Sequence, residues 1–149
     1  MKKILFIFAV MICTVVTASA QISKGESTIS AKIGIGDSSY GIPTTITYEN
    51  ALWGINDASC VTLGGSAGFG LFSDSNIFYV GLRGAYHYAI NKWDLLGALT
   101  IGGNIASSAD NPMFNVSVGA NYFFSESWAV GAELGYGISF ANVGVTYKF

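Results

Sequence analysis

From Thr28 to the last residue the chain alternates. Apolar and polar side chains exchange at nearly every step, in segments separated by Gly, Ser, Asn and Asp. Successive side chains of an extended strand point to opposite faces, so each segment predicts a strand with one apolar and one polar side. The last nine residues show this without a break: Ala141, Val143, Val145, Tyr147 and Phe149 share one face, and Asn142, Gly144, Thr146 and Lys148 share the other. No stretch after Gln21 keeps the 3.6-residue period of a helix.

The pattern predicts about eight strands. The first runs from Thr28 to Gly36 and the second from Ile42 to Asn50, with a connection through Trp53 to Asp57 leading to a third, Ser59 to Leu71. The fourth carries Phe78, Val80, Leu82, Tyr86 and Tyr88 on its apolar side and Tyr79, Gly81, Arg83, Ala85 and His87 opposite. The fifth is Trp93 to Asn104. The sixth sets Phe114, Val116, Val118, Ala120, Tyr122 and Phe124 against Asn115, Ser117, Gly119 and Asn121, and the seventh sets Trp128, Val130, Ala132, Leu134 and Tyr136 against Ala129, Gly131, Glu133 and Gly135. The eighth is the closing stretch. Leu96, Phe72 and Ile77 break the pattern on the polar side, Gly84 and Gly97 on the apolar side, and Phe140 is out of phase with Val143, which predicts a turn there.

Residues 1–20 stand apart. Met1-Lys2-Lys3 is basic, Ile4 to Val16 is almost wholly apolar, and Ala18-Ser19-Ala20 is small, which together read as an export leader cut before Gln21. The apolar run is shorter than the roughly 20 residues of a membrane-spanning helix. Ile12 before Cys13 argues against a lipoprotein. Without Lys2 and Lys3, the seven basic residues fall to five against nine acidic, a net charge of −4 on residues 21–149. Such a chain has no basic patch for nucleic acid, and it is one domain's worth of sequence. Cys60 is its one cysteine, a small buried side chain rather than half of a disulfide.

Eight antiparallel strands can close into a barrel, and the remaining question is which face is inside. A soluble carrier would show water a face rich in Lys and Glu, whereas the polar face here is mostly Gly, Ser, Thr and Asn, small enough to line a narrow lumen. The aromatic residues sort by strand end. With the N-terminus in the periplasm, odd strands run outward and even strands return. Trp53, Trp93 and Trp128 then fall at one rim with Tyr48, Tyr88, Tyr122, Tyr147 and Phe149, while Phe69, Phe78, Phe114 and Tyr136 mark the other. From Phe114 to Tyr122 or from Phe78 to Tyr88 the span is close to the 9–11 residues, about, of a tilted membrane strand. The fold expected is therefore all-β, an eight-stranded antiparallel up-and-down transmembrane β-barrel over residues 21–149.

The leader, the alternating strands, the short periplasmic turns and the ending Val143-x-Val145-x-Tyr147-x-Phe149 resemble the small eight-stranded outer-membrane barrels, the OmpX-like and OmpA-type β-barrel domains. The resemblance implies a place in the bacterial outer membrane, outer-membrane lipid around the barrel, and a C-terminal aromatic strand (Val143, Val145, Tyr147, Phe149) read by the barrel-assembly machinery. It carries architecture further than function.

On this register Lys32, Glu49, Arg83, Asp94, Glu133 and Lys148 face the lumen with His87. Isolated buried charges are costly, so Lys32, Arg83 and Glu133, in the middle of their strands, are expected to pair within a lumen charge network that plugs a monomeric, non-enzymatic barrel contributing to envelope structure or surface interaction, with Lys148 toward the periplasmic mouth. Two other readings stay open: a small-solute or ion channel, and an outer-membrane lipid A-modifying enzyme, for which His87 is the sole histidine available. No cofactor is expected: the glycine-rich runs have no following helix to bind phosphate, and no His, Cys and carboxylate spacing marks a metal. The outer connections, Asp37 to Gly41, Ser73 to Asn76, Ala106 to Met113 and Gly137 to Ser139, are short; Asp37, Asp74 and Asp110 at their tips are candidates for a divalent ion bridging lipopolysaccharide.

Overall fold

A computed structural model describes residues 19–36, 41–71, 77–105 and 112–149. Asp37, Asp74 and Asp110, and with them most of three outer connections, lie outside the described residues.

Eight strands follow one another around a closed barrel: β1 (Ser27–Ile35), β2 (Ile42–Asn56), β3 (Ser59–Leu71), β4 (Phe78–Ile90), β5 (Trp93–Asn104), β6 (Pro112–Phe123), β7 (Trp128–Gly137) and β8 (Ala141–Lys148). Every neighbouring pair is antiparallel, and β8 closes onto β1 from Thr28↔Lys148 to Ile35↔Ala141. Closure leaves no edge strand, which removes the template for aggregation that an open sheet offers.

The stagger fixes the width. Stepping across the register from Ser59 through Tyr88, Leu95, Ala120, Ala132, Val143, Ile33 and Thr44 returns to β3 at Phe69, ten residues further on. Eight strands with that offset tilt by about 40° to the axis, and the lumen is then only wide enough for side chains to fill.

The barrel is inside out. Large apolar side chains such as Ile33, Ile46, Leu82, Val118, Leu134 and Val143 are exposed on its outer wall, while Ser30, Thr47, Thr62, Ser66, Ser117, Asn121 and Thr146 are buried within. Among the described residues 32 large apolar side chains are exposed. Burying one such side chain is worth about 1.5–3 kcal/mol, so a wall of this composition is stable in hydrocarbon and not in water.

One strand departs from the expected boundaries. Trp53 does not sit in a connection: β2 continues through it to Asn56, and the turn is only Asp57-Ala58. The reason is two register shifts, between Ala51 and Trp53 and between Gly54 and Asn56, each inserting an unpaired residue. Bulges break the alternation, leaving Trp53, Gly54, Ile55 and Asn56 exposed in succession, and so hide the strand from a period-2 reading. Phe140 lies in the β7–β8 turn, as its phase predicts. That turn begins at Gly137, whose φ of +119° is one that residues with a Cβ avoid.

Among the described residues, each end of the lumen holds buried apolar side chains. Ile77, Tyr79, Met113 and Ile138 form a buried cluster at the end away from the termini. At the end near the termini, Ile22 packs with Ala51 and Cys60, and Ala20 with Phe123 and Ala129. Phe123 has no exposed surface. It belongs to the inner face, whereas the sequence drew attention only to its outward neighbour Phe124.

Candidate functional site: the lumenal charge cluster

Between the two apolar closures the lumen is charged. Glu49 on β2 and Arg83 on β4 are both register partners of Gly64 on β3, so they reach one another across a residue without a side chain. Arg83 Nε donates to Glu49 Oε1 at 3.2 Å. A Cβ on Gly64 would lie 1.7 Å from the Tyr48 carbonyl oxygen, so the strands approach here more closely than any larger residue allows.

Arg83 also crosses the lumen. Its Nη2 donates to Glu133 Oε1 on β7 at 2.9 Å, and the Lys32 ammonium from β1 donates to the same oxygen. Gly144, opposite Lys32 on β8, leaves the lysine stem its path. The remaining lone pairs find neutral donors: Ser117 Oγ donates to Glu133 Oε2 at 3.1 Å and Thr62 Oγ1 to Glu49 Oε1 at 3.2 Å. Lys32, Glu49, Arg83 and Glu133 are each less than a tenth exposed. At that depth charges are tolerated only when paired and hydrogen-bonded, and here they are.

A second group adjoins the first. His87 Nδ1 sits 3.0 and 2.9 Å from the two Asp94 oxygens, and since a carboxylate only accepts, the hydrogen is on Nδ1. Asn121 Nδ2 donates to Asp94 Oδ2 at 2.9 Å. His87 Nε2 lies 3.9 Å from Glu49 Oε2 and has no hydrogen-bond partner. Two cations, three carboxylates and one imidazole thus occupy one continuous cluster, electrically balanced when the imidazole is protonated.

Lys148, expected in the same set, is not part of it. Its side chain turns to the mouth, donating to the backbone oxygens of Gln21 at 2.7 Å and Ser19 at 3.2 Å, and its ammonium lies 5.2 Å from the Phe123 ring centre. The last inward position of β8 is at the rim, where backbone carbonyls of the N-terminal segment lie nearer than any carboxylate of the cluster.

Beside the cluster the described residues leave one small space. A cavity of about 20 Å³, lined by Thr45, Thr47, Ser66, Thr100 and Asn115 beside the cluster, admits about one water-sized molecule. Thr47 Oγ1 is buried there without a partner. Among the described residues no three His, Cys, Asp or Glu side chains are placed to hold a metal ion.

On the outer wall the aromatics form two rims. Trp93 and Tyr122 are register partners with ring centres 5.0 Å apart, as are Trp128 and Tyr147 at 4.8 Å. Tyr88 and Trp53 are exposed at the same end as these pairs, near the turns Asn91-Lys92 and Asp57-Ala58. Phe114 meets Tyr136 at 6.1 Å at the opposite end. At the C-terminus Phe149 stacks on Tyr147 and exchanges both backbone hydrogen bonds with Ser27, at 2.8 and 2.9 Å. Val143 and Val145 lie on the exposed face of β8.

A closed eight-stranded barrel, apolar outside and polar inside, is a transmembrane β-barrel. No family model matches this sequence, and no curated protein matches it. Among solved structures it is similar to a de novo designed transmembrane β-barrel, with a TM-score of 0.65 at 13% identity over 87% of this chain and 99% of that one. It is also similar to the N-terminal β-barrel domain of Pseudomonas aeruginosa OprF, with a TM-score of 0.51 at 16% identity over 85% and 98% of the two chains. The likeness is one of fold, and it agrees with the resemblance to small eight-stranded barrels read from the sequence.

Proposed function

We propose that this protein is a non-enzymatic, monomeric β-barrel of the bacterial outer membrane, delivered there behind a cleaved leader, that contributes to the envelope as a plugged barrel rather than as an open pore. The observation that carries the reading is the filled lumen: a salt-bridged cluster of Lys32, Glu49, Arg83 and Glu133 lies between apolar closures at both mouths. Ions cross a bilayer only through a hydrated path, and a 20 Å³ cavity is not one. His87 is buried and engaged with Asp94, with little surface on which to meet a lipid substrate. The lipid-facing wall takes outer-membrane lipid as its solvent, and the aromatic end of β8 serves the barrel-assembly machinery.

Refolded protein in planar bilayers tests this. Baseline conductance is expected, and steady open-channel steps would replace the plugged reading with the channel. Fatty acid released from lipid A by the same preparation, and lost in His87→Ala, would replace it with the enzyme. Slower or faster migration of the unheated protein in SDS, abolished by boiling, is expected of the folded barrel.

A further inference from the structure

The segment before β1 is packed as part of the barrel. From Ser27 the chain runs back across the mouth to the β4–β5 turn, where the Ala20 N–H donates to the Asn91 carbonyl at 2.9 Å. In a ring of eight strands that turn lies on the side opposite β1. Ala20 is fully buried against Phe123 and Ala129, and Ile22 is buried against Ala51 and Cys60. Lys148 holds the segment from β8 through the carbonyls of Ser19 and Gln21.

A leader cut after Ala20 removes two residues that this packing uses. Val16-Thr17-Ala18 offers a second cut, with an uncharged residue three positions before it and a small one immediately before it. The surroundings of Ser19 suit a new chain end. It lines an open cavity of about 320 Å³ together with Glu26, Glu126 and Lys148; Glu26 Oε2 accepts from the Ser23 N–H, and Glu126 is the second carboxylate on the cavity wall for an α-ammonium group.

We propose that the leader is cut between Ala18 and Ser19, and that residues 19–23 remain as a built-in stopper of the periplasmic mouth, latched by Lys148. The cut rests on the reading of residues near the N-terminus as an export leader; the stopper rests on the packing alone.

Intact mass of the protein purified from the outer membrane of cells expressing the full chain tests the cut. A chain beginning at Ser19 is expected. A chain beginning at Gln21, lighter by one serine and one alanine, overturns the proposed cut while leaving the leader in place, and a chain still carrying Met1 overturns the leader reading itself. Cys60, beneath Ile22 and the one cysteine after the leader, reports on the stopper. In the folded barrel its labelling by a small maleimide is expected to be slow, and about tenfold or more faster in Ile22→Gly and Lys148→Ala, with unheated gel mobility confirming that both variants fold. Fast labelling of the unaltered protein, or equal rates in all three, overturns the stopper.

Discussion

Glu133 Oε1 serves two cations at once: Arg83 Nη2 reaches it at 2.9 Å from β4, and the Lys32 ammonium reaches it from β1. Three strands that are not neighbours are thereby tied together through the lumen.

Glu133→Gln leaves Lys32 without its carboxylate, and Arg83 with Glu49 alone, at a depth where an unpaired charge is costly. The expected loss is about 3–5 kcal/mol of unfolding free energy in urea titrations of the barrel in lipid vesicles. Combining it with Lys32→Met removes one of the stranded charges and should recover a large part of that loss. If the double variant is as unstable as the sum of the two single ones, the three residues do not act as one network.

Gly64 separates Glu49 from Arg83, and the space between their strands is set by its missing side chain. Gly64→Ala should prevent closure, seen as loss of the compact unheated band in SDS. Gly97→Ala is the control, because a Cβ there meets nothing within 4 Å. Equal folding yields of the two variants would contradict the close approach at Gly64.

The girdle of tryptophans makes a claim about depth. Trp53, Trp93 and Trp128 lie at the same end of the barrel as Phe149 and the segment before β1, on its outer surface. Three single-tryptophan variants in vesicles of lipids brominated at graded acyl positions should all be quenched most by bromines nearest the headgroup. Strongest quenching from mid-chain bromines would place that rim inside the hydrocarbon.

Much of this was legible beforehand because the physics is local. Alternation depends only on neighbouring residues, so the strands bearing Val116 to Tyr122 or Val143 to Phe149 announce themselves, and with them which charges point inward. What stayed hidden depends on distant partners. Nothing near Lys32 in the chain says that its carboxylate is Glu133 rather than Glu49, because closure of β8 onto β1 decides it. Bulges hide the strand position of Trp53, and alternation gives Lys148 its inward face but not the Ser19 and Gln21 carbonyls that it meets at the mouth. Phe123 could have been noticed, being an inward aromatic between Tyr122 and Phe124; Ile77, similarly out of pattern, proved to be part of the outer closure.

The C-terminal aromatic carries the last prediction. Phe149 completes the β1–β8 seam by exchanging backbone hydrogen bonds with Ser27, and its ring stacks on Tyr147, which in turn meets Trp128 at a tilt. Two hydrogen bonds at the end of a long seam contribute only about 1–3 kcal/mol, so the finished barrel should tolerate their loss. Assembly is another matter if the outward-facing row Val143, Val145, Tyr147 and Phe149 is what the assembly machinery binds. Deleting Phe149 is then expected to lower the outer-membrane fraction in cells sharply while urea stability of the refolded barrel changes little. A proportional fall in both would make the residue a structural one, and normal membrane levels would remove its role in recognition.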